Sequence, residues 1–153
     1  MSITAPISKF KKTNLKIYII FCILMAVWFG YDGFFSESFR AKHTKDGVVD
    51  ITFISNRVTA CALAGAAALL AVYFFTVKDK QIVADDNELI IDGRKKIPYQ
   101  AIQKVDKTFF GSKGFFTFNY KDESGEDSEL KISDRRYDNL SAVLDKLIEK
   151  ISQ

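Results

Sequence analysis

The sequence predicts a membrane-anchored α+β protein, in which a hairpin of two transmembrane helices precedes a small antiparallel β domain that closes with an amphipathic helix. Three observations predict this class. Two long uncharged runs occupy the first half of the chain, short β-like runs separated by turn residues fill the second half, and the C-terminal segment changes to a helical period. With 153 residues, the chain has room for an anchor and one small domain but not for a large catalytic core.

The two uncharged runs are the predicted transmembrane helices. Ile17–Tyr31 has no charged side chain, and Val58–Val77 comprises 20 uncharged residues. At about 1.5 Å per residue, the second run covers roughly the 30 Å of bilayer hydrocarbon. The first run ends in Val27-Trp28-Phe29 where a signal peptide would have small residues, so we interpret it as an uncleaved anchor. The predicted segments are a basic tail at 1–14, transmembrane helices at 15–35 and 58–77, an outer loop at 36–57 and a soluble domain at 78–153.

The charged flanks predict the orientation. Lys9, Lys11, Lys12 and Lys16 crowd the entry to the first helix, and positively charged flanks remain cytoplasmic. The outer loop also has four basic residues, so the prediction depends on the closer spacing, along the sequence, of the four lysines before the first helix. We therefore expect a multi-pass protein of the cell inner membrane with its N-terminus, its C-terminus and its soluble domain in the cytoplasm.

Small residues recur along the second predicted helix and form a surface that another backbone can approach closely. The face comprises Ala60, Cys61, Ala64, Gly65 and Ala68. It either packs against the protein's own first helix or docks another subunit, and the sequence leaves both alternatives open.

The soluble half is predicted to be an antiparallel meander, because β-like runs alternate with turn residues such as Asn, Asp, Gly and Pro. The predicted strands are Gln81–Asp85, Glu88–Asp92, Lys95–Ile97, Lys104–Phe110, Phe115–Tyr120 and Ser128–Ile132. From Arg135 to Ile151 the apolar residues follow the period of one helix face, which must be buried against the strands. Asp134 is placed to cap this helix or to interact with its positive end.

Two neighbouring motifs carry a family resemblance. The stretch Glu88–Gly93 is followed by Ile97-Pro98-Tyr99, Ile102 and Val105 in an "IPY..I..V" pattern, and then by the closing helix. Over about residues 79–151 this order resembles the bacterial PH-like domain. The resemblance implies a bent β-sandwich or partial barrel, plugged by a C-terminal helix and used for binding. Because 78–153 is shorter than a typical PH domain, we expect one strand to be missing or rudimentary.

The sequence favours binding over catalysis. It has no nucleophile elbow, HExxH, CxxC pair or Walker loop, so we predict no enzyme activity, no cofactor and no metal site. The last 76 residues carry 14 basic and 15 acidic groups, which argues against a nucleic-acid partner. The expected partners are membrane lipids and other membrane-protein subunits.

Two functions remain open from the sequence. The first is an accessory or scaffolding subunit of a larger membrane complex, whose soluble domain contacts the partner through Phe109, Phe110, Phe115 and Phe116. The alternative is a sensor that binds anionic lipid headgroups or a small ligand through Arg94, Lys95 and Lys96, since basic residues near an anionic leaflet are attracted to it.

Overall fold

The computed structural model describes residues 2–152 and shows an α+β chain with two long apolar helices and antiparallel sheets. It divides into two compact units. One comprises residues 13–75, and the other joins residues 2–12 to residues 76–152. The N-terminal segment and the C-terminal half therefore belong to one folded unit, although the helical region separates them in the sequence.

A short connection links the first long helix and the π-helical turn that continues it to the second long helix. The elements are α1 (Lys9–Gly30), a π-helical turn (Tyr31–Phe35), α2 (Glu37–Lys42), the paired two-residue strands β2 (Thr44–Lys45) and β3 (Val48–Val49), and α3 (Ile51–Val77).

Helix α3 begins seven residues before the predicted position, because Asp50 caps it. The Asp50 carboxylate accepts the backbone N–H of Phe53 at 3.0 Å and lies 2.7 Å from the Nδ1 of His43. The hydrogen bond with His43, followed by the one from Phe53, lowers the pKa of Asp50. An acceptor at this position satisfies a donor of the first turn, so the helix extends into the segment that the sequence predicted as loop.

Both long helices meet the length and composition required to cross a bilayer, over Lys9–Phe35 and Ile51–Val77. In their most apolar windows only 6% and 11% of the residues are buried. The buried residues of α3 within residues 13–75 are Phe53, Ala60 and Ala67, which recur every seven residues and form one narrow stripe. Most of the apolar surface of these helices is therefore not covered by protein.

The other unit contains two antiparallel sheets and a C-terminal helix. The four-stranded sheet has the order β1 (Ile3–Pro6), β4 (Gln81–Ala84), β5 (Glu88–Ile91) and β6 (Lys95–Pro98). The three-stranded sheet has the order β7 (Ile102–Asp106), β8 (Phe115–Lys121) and β9 (Asp127–Ser133). A 3-10 turn (Tyr99–Ala101) joins the sheets, α4 (Phe110–Lys113) lies between β7 and β8, and α5 (Leu140–Ile151) closes the unit.

The amphipathic face of α5 covers the core, as the sequence predicted. Leu140, Val143, Leu144 and Leu147 are all buried on it. They share one cluster with apolar residues of both sheets, namely Ile82, Ala84, Leu89, Ile97, Ile102, Phe116, Phe118, Tyr120 and Ile132. Burying each large apolar side chain of this kind stabilises the fold by about 1.5–3 kcal/mol.

The capping prediction for this helix is wrong. The helix begins at Leu140, with Asn139 before it at a φ of 59°, and Asp134 lies too far upstream to cap it. The intervening segment is used differently: Tyr137 forms a β-bridge with Ile7, and the N–H of Asp138 donates to the carbonyl oxygen of Pro6 at 2.8 Å.

Strand β1 is an element of the β unit that the sequence did not predict. It lies in the predicted tail and pairs antiparallel with β4, with Ile3 opposite Ala84 and Pro6 opposite Gln81. Ala5 is fully buried in the core. The unit thus takes its edge strand from the N-terminal segment, and both long helices are inserted in the connection between β1 and β4.

Candidate functional site

An apolar groove lies on the helical unit, with a volume of about 760 Å³. One wall comes from α1 and the π-helical turn, and the other wall is made almost entirely of alanine. The lining residues are Ile19, Ile23, Ala26, Val27, Gly30, Tyr31, Phe34 and Phe35 on the first side and Ala60, Cys61, Ala64, Ala67, Ala68 and Ala71 on the second.

The structure divides the predicted small-residue face. Ala60 is buried, and a Cβ built on Gly30 would lie 3.7 Å from its side chain, so this residue packs within the hairpin. Cys61, Ala64 and Ala68 are exposed and line the groove. Gly65 is also exposed but does not line it. The packing alternative therefore describes Ala60, and docking of another subunit by the exposed residues stays a prediction.

Arg57 holds one end of the hairpin together. Its Nε donates to the carbonyl oxygen of Gly33 at 2.9 Å, and its guanidinium carbon lies 4.8 Å and 5.2 Å from the ring centres of Phe34 and Phe53. A guanidinium over aromatic faces is favourable, and more so where water is excluded. These contacts of Arg57 hold α3 and the π-helical turn together next to the groove.

The four phenylalanines predicted to contact a partner fall into two pairs. Phe116 is fully buried and Phe110 packs on it edge-to-face at 5.9 Å, so Phe116 is not available to a partner in the folded domain. Phe109 and Phe115 stack at 5.5 Å on the outside, and Phe109 is 42% exposed. The predicted contact surface thus reduces to the outer pair, while the inner pair belongs to the core.

Two lysines cover the outer pair. The Nζ of Lys113 lies 4.6 Å from the ring centre of Phe109, and that of Lys131 lies 3.6 Å from the ring centre of Phe115. Gly114 sets the geometry, since it adopts a φ of +68° after α4 and an added Cβ would overlap the Asp134 carboxylate. This surface is both aromatic and cationic.

The basic triplet predicted for lipid contact lines a second concavity, in the β unit, of about 730 Å³. Arg94, Lys95 and Lys96 form one part of it, and Asp122 and Glu123 of the β8–β9 turn form another. The remaining lining residues are Ile97, Pro98, Ala101, Tyr120, Lys121 and Ser124. The acidic side is not predictable from the sequence, because carboxylates in a turn are usually solvated and nothing in the sequence places this turn beside the β5–β6 turn.

Local contacts fix several charges of this cleft. Lys95 hydrogen-bonds to the hydroxyl of Tyr120 and lies 4.6 Å above its ring centre. Lys96 forms an ion pair of 3.5 Å with Glu88. Hydrogen bonds from Ser124, followed by the backbone N–H of Glu126, lower the pKa of Asp122, which therefore stays ionised at neutral pH. The cleft carries fixed charges of both signs.

Within residues 2–152, no three His, Cys, Asp or Glu side chains come together as a metal site. Comparisons of the chain with protein-family models, curated proteins and solved structures found no match.

Proposed function

We propose that this chain is a non-enzymatic integral membrane protein that acts as an accessory or scaffolding subunit of a larger membrane complex. The observation that carries the proposal is the open, alanine-lined groove between two helices whose apolar surfaces are uncovered. In lipid, helix association depends on close packing of small residues, because lipid tails are as apolar as leucine. The groove supplies such a surface for one further helix.

Membrane insertion is supported by the exposure of these helices. A helix of 27 residues extends about 40 Å, which exceeds the hydrocarbon thickness. A core helix of a soluble protein would be mostly buried, whereas these windows are 6% and 11% buried. Side chains such as Leu24, Trp28 and Leu69 are more than 60% exposed, a cost in water that a bilayer removes.

The topology of the β unit supports placing both ends of the chain on one side of the membrane. Strand β1 precedes α1 and β4 follows α3, yet the two strands are hydrogen-bonded neighbours. Paired strands lie in one compartment, so an even number of crossings separates them. The lysines before α1 then favour the cytoplasm of the inner membrane as that compartment.

We further propose that the β unit is a PH-like domain used for contact with partner proteins. Its four-stranded and three-stranded sheets, closed by α5, are consistent with the partial barrel that the resemblance implies. Strand β1 supports this proposal, because it adds a strand from outside residues 78–153, the range in which one strand is expected to be missing. The outer pair Phe109 and Phe115, with the lysines above it, offers the domain an aromatic contact surface.

Co-purification from native membranes tests the groove. The full chain, extracted in mild detergent, is expected to retain stoichiometric membrane-protein partners identified by mass spectrometry. Ala64→Leu and Ala68→Leu fill the groove and should reduce partner recovery severalfold. Ala66→Leu makes the same size change at a partly exposed alanine that lines neither the groove nor the smaller concavity beside it, and should leave recovery unchanged. Recovery of the chain without partners, or equal losses in all three variants, would contradict the proposal.

A further inference from the structure

The cleft between the β5–β6 and β8–β9 turns has charges of opposite sign on its two sides. Arg94, Lys95 and Lys96 supply the positive side, and Asp122 and Glu123 supply the negative side. An anionic ligand that fills the cleft would meet two carboxylates, and a cationic ligand would meet four basic groups, because Lys121 also lines the cleft. Charge complementarity therefore favours a ligand with both signs of charge.

The floor and the positive side are partly preorganised. The Tyr120 hydroxyl and ring hold the Lys95 ammonium, and Ile97, which is 1% exposed, lies at the base of the cleft. Arg94 carries a planar guanidinium suited to two parallel hydrogen bonds with phosphate oxygens. Lys96 already pairs with Glu88, so its contribution to a ligand is smaller.

On the negative side, Asp122 is also fixed. The Oδ1 atom of Asp122 accepts hydrogen bonds from the backbone N–H of Ser124 and Glu126, at 2.9 Å and 3.0 Å, and this orients the carboxylate within the turn. Glu123 follows it in the same turn and lines the cleft. These two carboxylates are suited to accept hydrogen bonds from a primary ammonium group, which has three donors.

We propose that this cleft binds a phosphoethanolamine group, with its phosphate on Arg94 and Lys95 and its ammonium on Asp122 and Glu123. This group is the headgroup of a zwitterionic membrane phospholipid and also occurs as a small soluble ester. The proposal refines the headgroup-sensor alternative of the sequence analysis, and does not depend on a partner helix occupying the groove of the helical unit.

Ligand titration of the full chain in detergent tests the chemistry. Phosphoethanolamine is expected to bind about three- to tenfold more tightly than inorganic phosphate, ethanolamine or phosphocholine, because exposed ion pairs each contribute modestly. Phosphocholine is a discriminating probe, since its quaternary ammonium has no N–H to donate. Equal affinity for phosphoethanolamine and inorganic phosphate would overturn the proposal.

Two variants assign the sides of the cleft. Glu123→Gln should weaken phosphoethanolamine binding about two- to fivefold without weakening phosphate binding, while Arg94→Gln should weaken both. Glu129→Gln and Lys107→Gln are matched controls, because both residues are exposed and neither lines the cleft. If the controls changed binding as much as the cleft variants, the site would not be this cleft.

Nanodiscs distinguish the lipid from the soluble ester. The full chain is reconstituted in phosphatidylcholine with or without phosphatidylethanolamine, and soluble phosphoethanolamine is titrated. Loss of soluble binding only in the phosphatidylethanolamine discs identifies the lipid headgroup as the occupant, and unchanged binding identifies the soluble ester. Failure to bind phosphoethanolamine in either disc would overturn the proposal while leaving the accessory-subunit function untouched.

Discussion

The Oγ of Ser8 donates a hydrogen bond of 2.7 Å to the carbonyl oxygen of Arg135, although 127 positions separate the two residues. The Ser8 Oγ also accepts a hydrogen bond from the backbone N–H of Lys11 at 3.2 Å. Next to it, the Asp138 carboxylate accepts the N–H of Lys9 at 2.9 Å. One serine and one aspartate therefore cap the start of α1 and fasten strand β1 to the segment that precedes α5.

Ser8→Ala is expected to destabilise the β unit by about 1–2 kcal/mol. Ser8 is 1% exposed and its hydrogen bond to the Arg135 carbonyl is partly buried, so this carbonyl would lose its partner and α1 would lose a cap. Hydrogen exchange in the full chain measures this as faster exchange of the amides that pair β1 with β4.

Ser2→Ala is the matched control, because Ser2 is exposed and precedes the strand. It should leave the exchange rates unchanged. If Ser8→Ala were equally silent, the hydroxyl would not contribute to fastening the strand.

The inserted position of the helices predicts that residues 78–152 alone lack an essential strand. A chimera that joins residues 2–8 to residues 79–152 through a few Gly and Ser residues should fold cooperatively, since the N–H of Ile7 already lies 3.0 Å from the carbonyl oxygen of Lys80. A short linker closes this hairpin at a lower entropic cost than the long native connection. Thermal unfolding and amide NMR spectra of the two soluble proteins measure the difference.

The control is the chimera with the substitution Ala5→Asp, since Ala5 is fully buried in the native unit. This variant should unfold as easily as residues 78–152 without the strand, because an unpaired carboxylate in the core is costly. Cooperative unfolding of residues 78–152 at the same temperature as the chimera would contradict the essential role of β1.

The sequence predicted the elements whose signals are local. The β4–β5 hairpin has an Asp-Asn turn between β-like runs, and α5 has six apolar residues on one face, so both were predicted near their observed positions. Strand β1 has only four residues and ends in Pro6, and its partner is more than 70 residues away. No local pattern indicates such pairing.

The sequence also predicted those parts of the candidate site that have a local signal. The alanine face and the basic triplet are visible in the sequence, but what covers them is not. Burial of Phe116 beneath Phe110 follows from the alternation along β8, where one face is in the core. The position of Asp122 and Glu123 beside Arg94 depends on how two turns from different sheets meet, which is a tertiary property.

We expect the stability of the β unit to fall at alkaline pH as Tyr99 ionises. Its hydroxyl donates to the Asp85 carbonyl oxygen at 2.8 Å, and burial, followed by the charges of Asp85 and Asp86, raises its pKa to about 12. An unfolded tyrosine titrates near pH 10, so the neutral ring stabilises the fold below that pH. This stabilisation is lost as the pH rises from about 10 to about 12.

Tyr99→Phe should therefore cost about 1 kcal/mol at neutral pH, through loss of the hydrogen bond, and reduce the dependence of stability on pH in the alkaline range. Denaturant unfolding at several pH values measures both effects. Part of the dependence should persist, because burial and the hydrogen bond to Asp92 also raise the pKa of Tyr137. An unchanged slope in the variant would show that Tyr99 ionises equally well in the folded and unfolded chain.

Gly33 and Arg57 provide a test of the hairpin. A Cβ on Gly33 would lie 3.0 Å from the Arg57 Cγ and 3.1 Å from its backbone nitrogen, closer than ordinary contact. Gly33→Ala should therefore force the π-helical turn away from α3 and cost about 1–3 kcal/mol, as overpacking does. Titration with SDS in mixed micelles, followed by circular dichroism, measures the loss of hairpin stability.

Gly65→Ala is the matched control, since a Cβ there meets nothing within 4 Å and Gly65 lies within α3. It should leave stability unchanged or raise it slightly, because alanine favours helix over glycine. Arg57→Met separates the close approach from the hydrogen bond: it retains the Cγ but removes the donor to the Gly33 carbonyl, so it should destabilise the hairpin by about 1 kcal/mol. If Gly33→Ala and Gly65→Ala behaved alike, the two helical segments would not be in contact at this point.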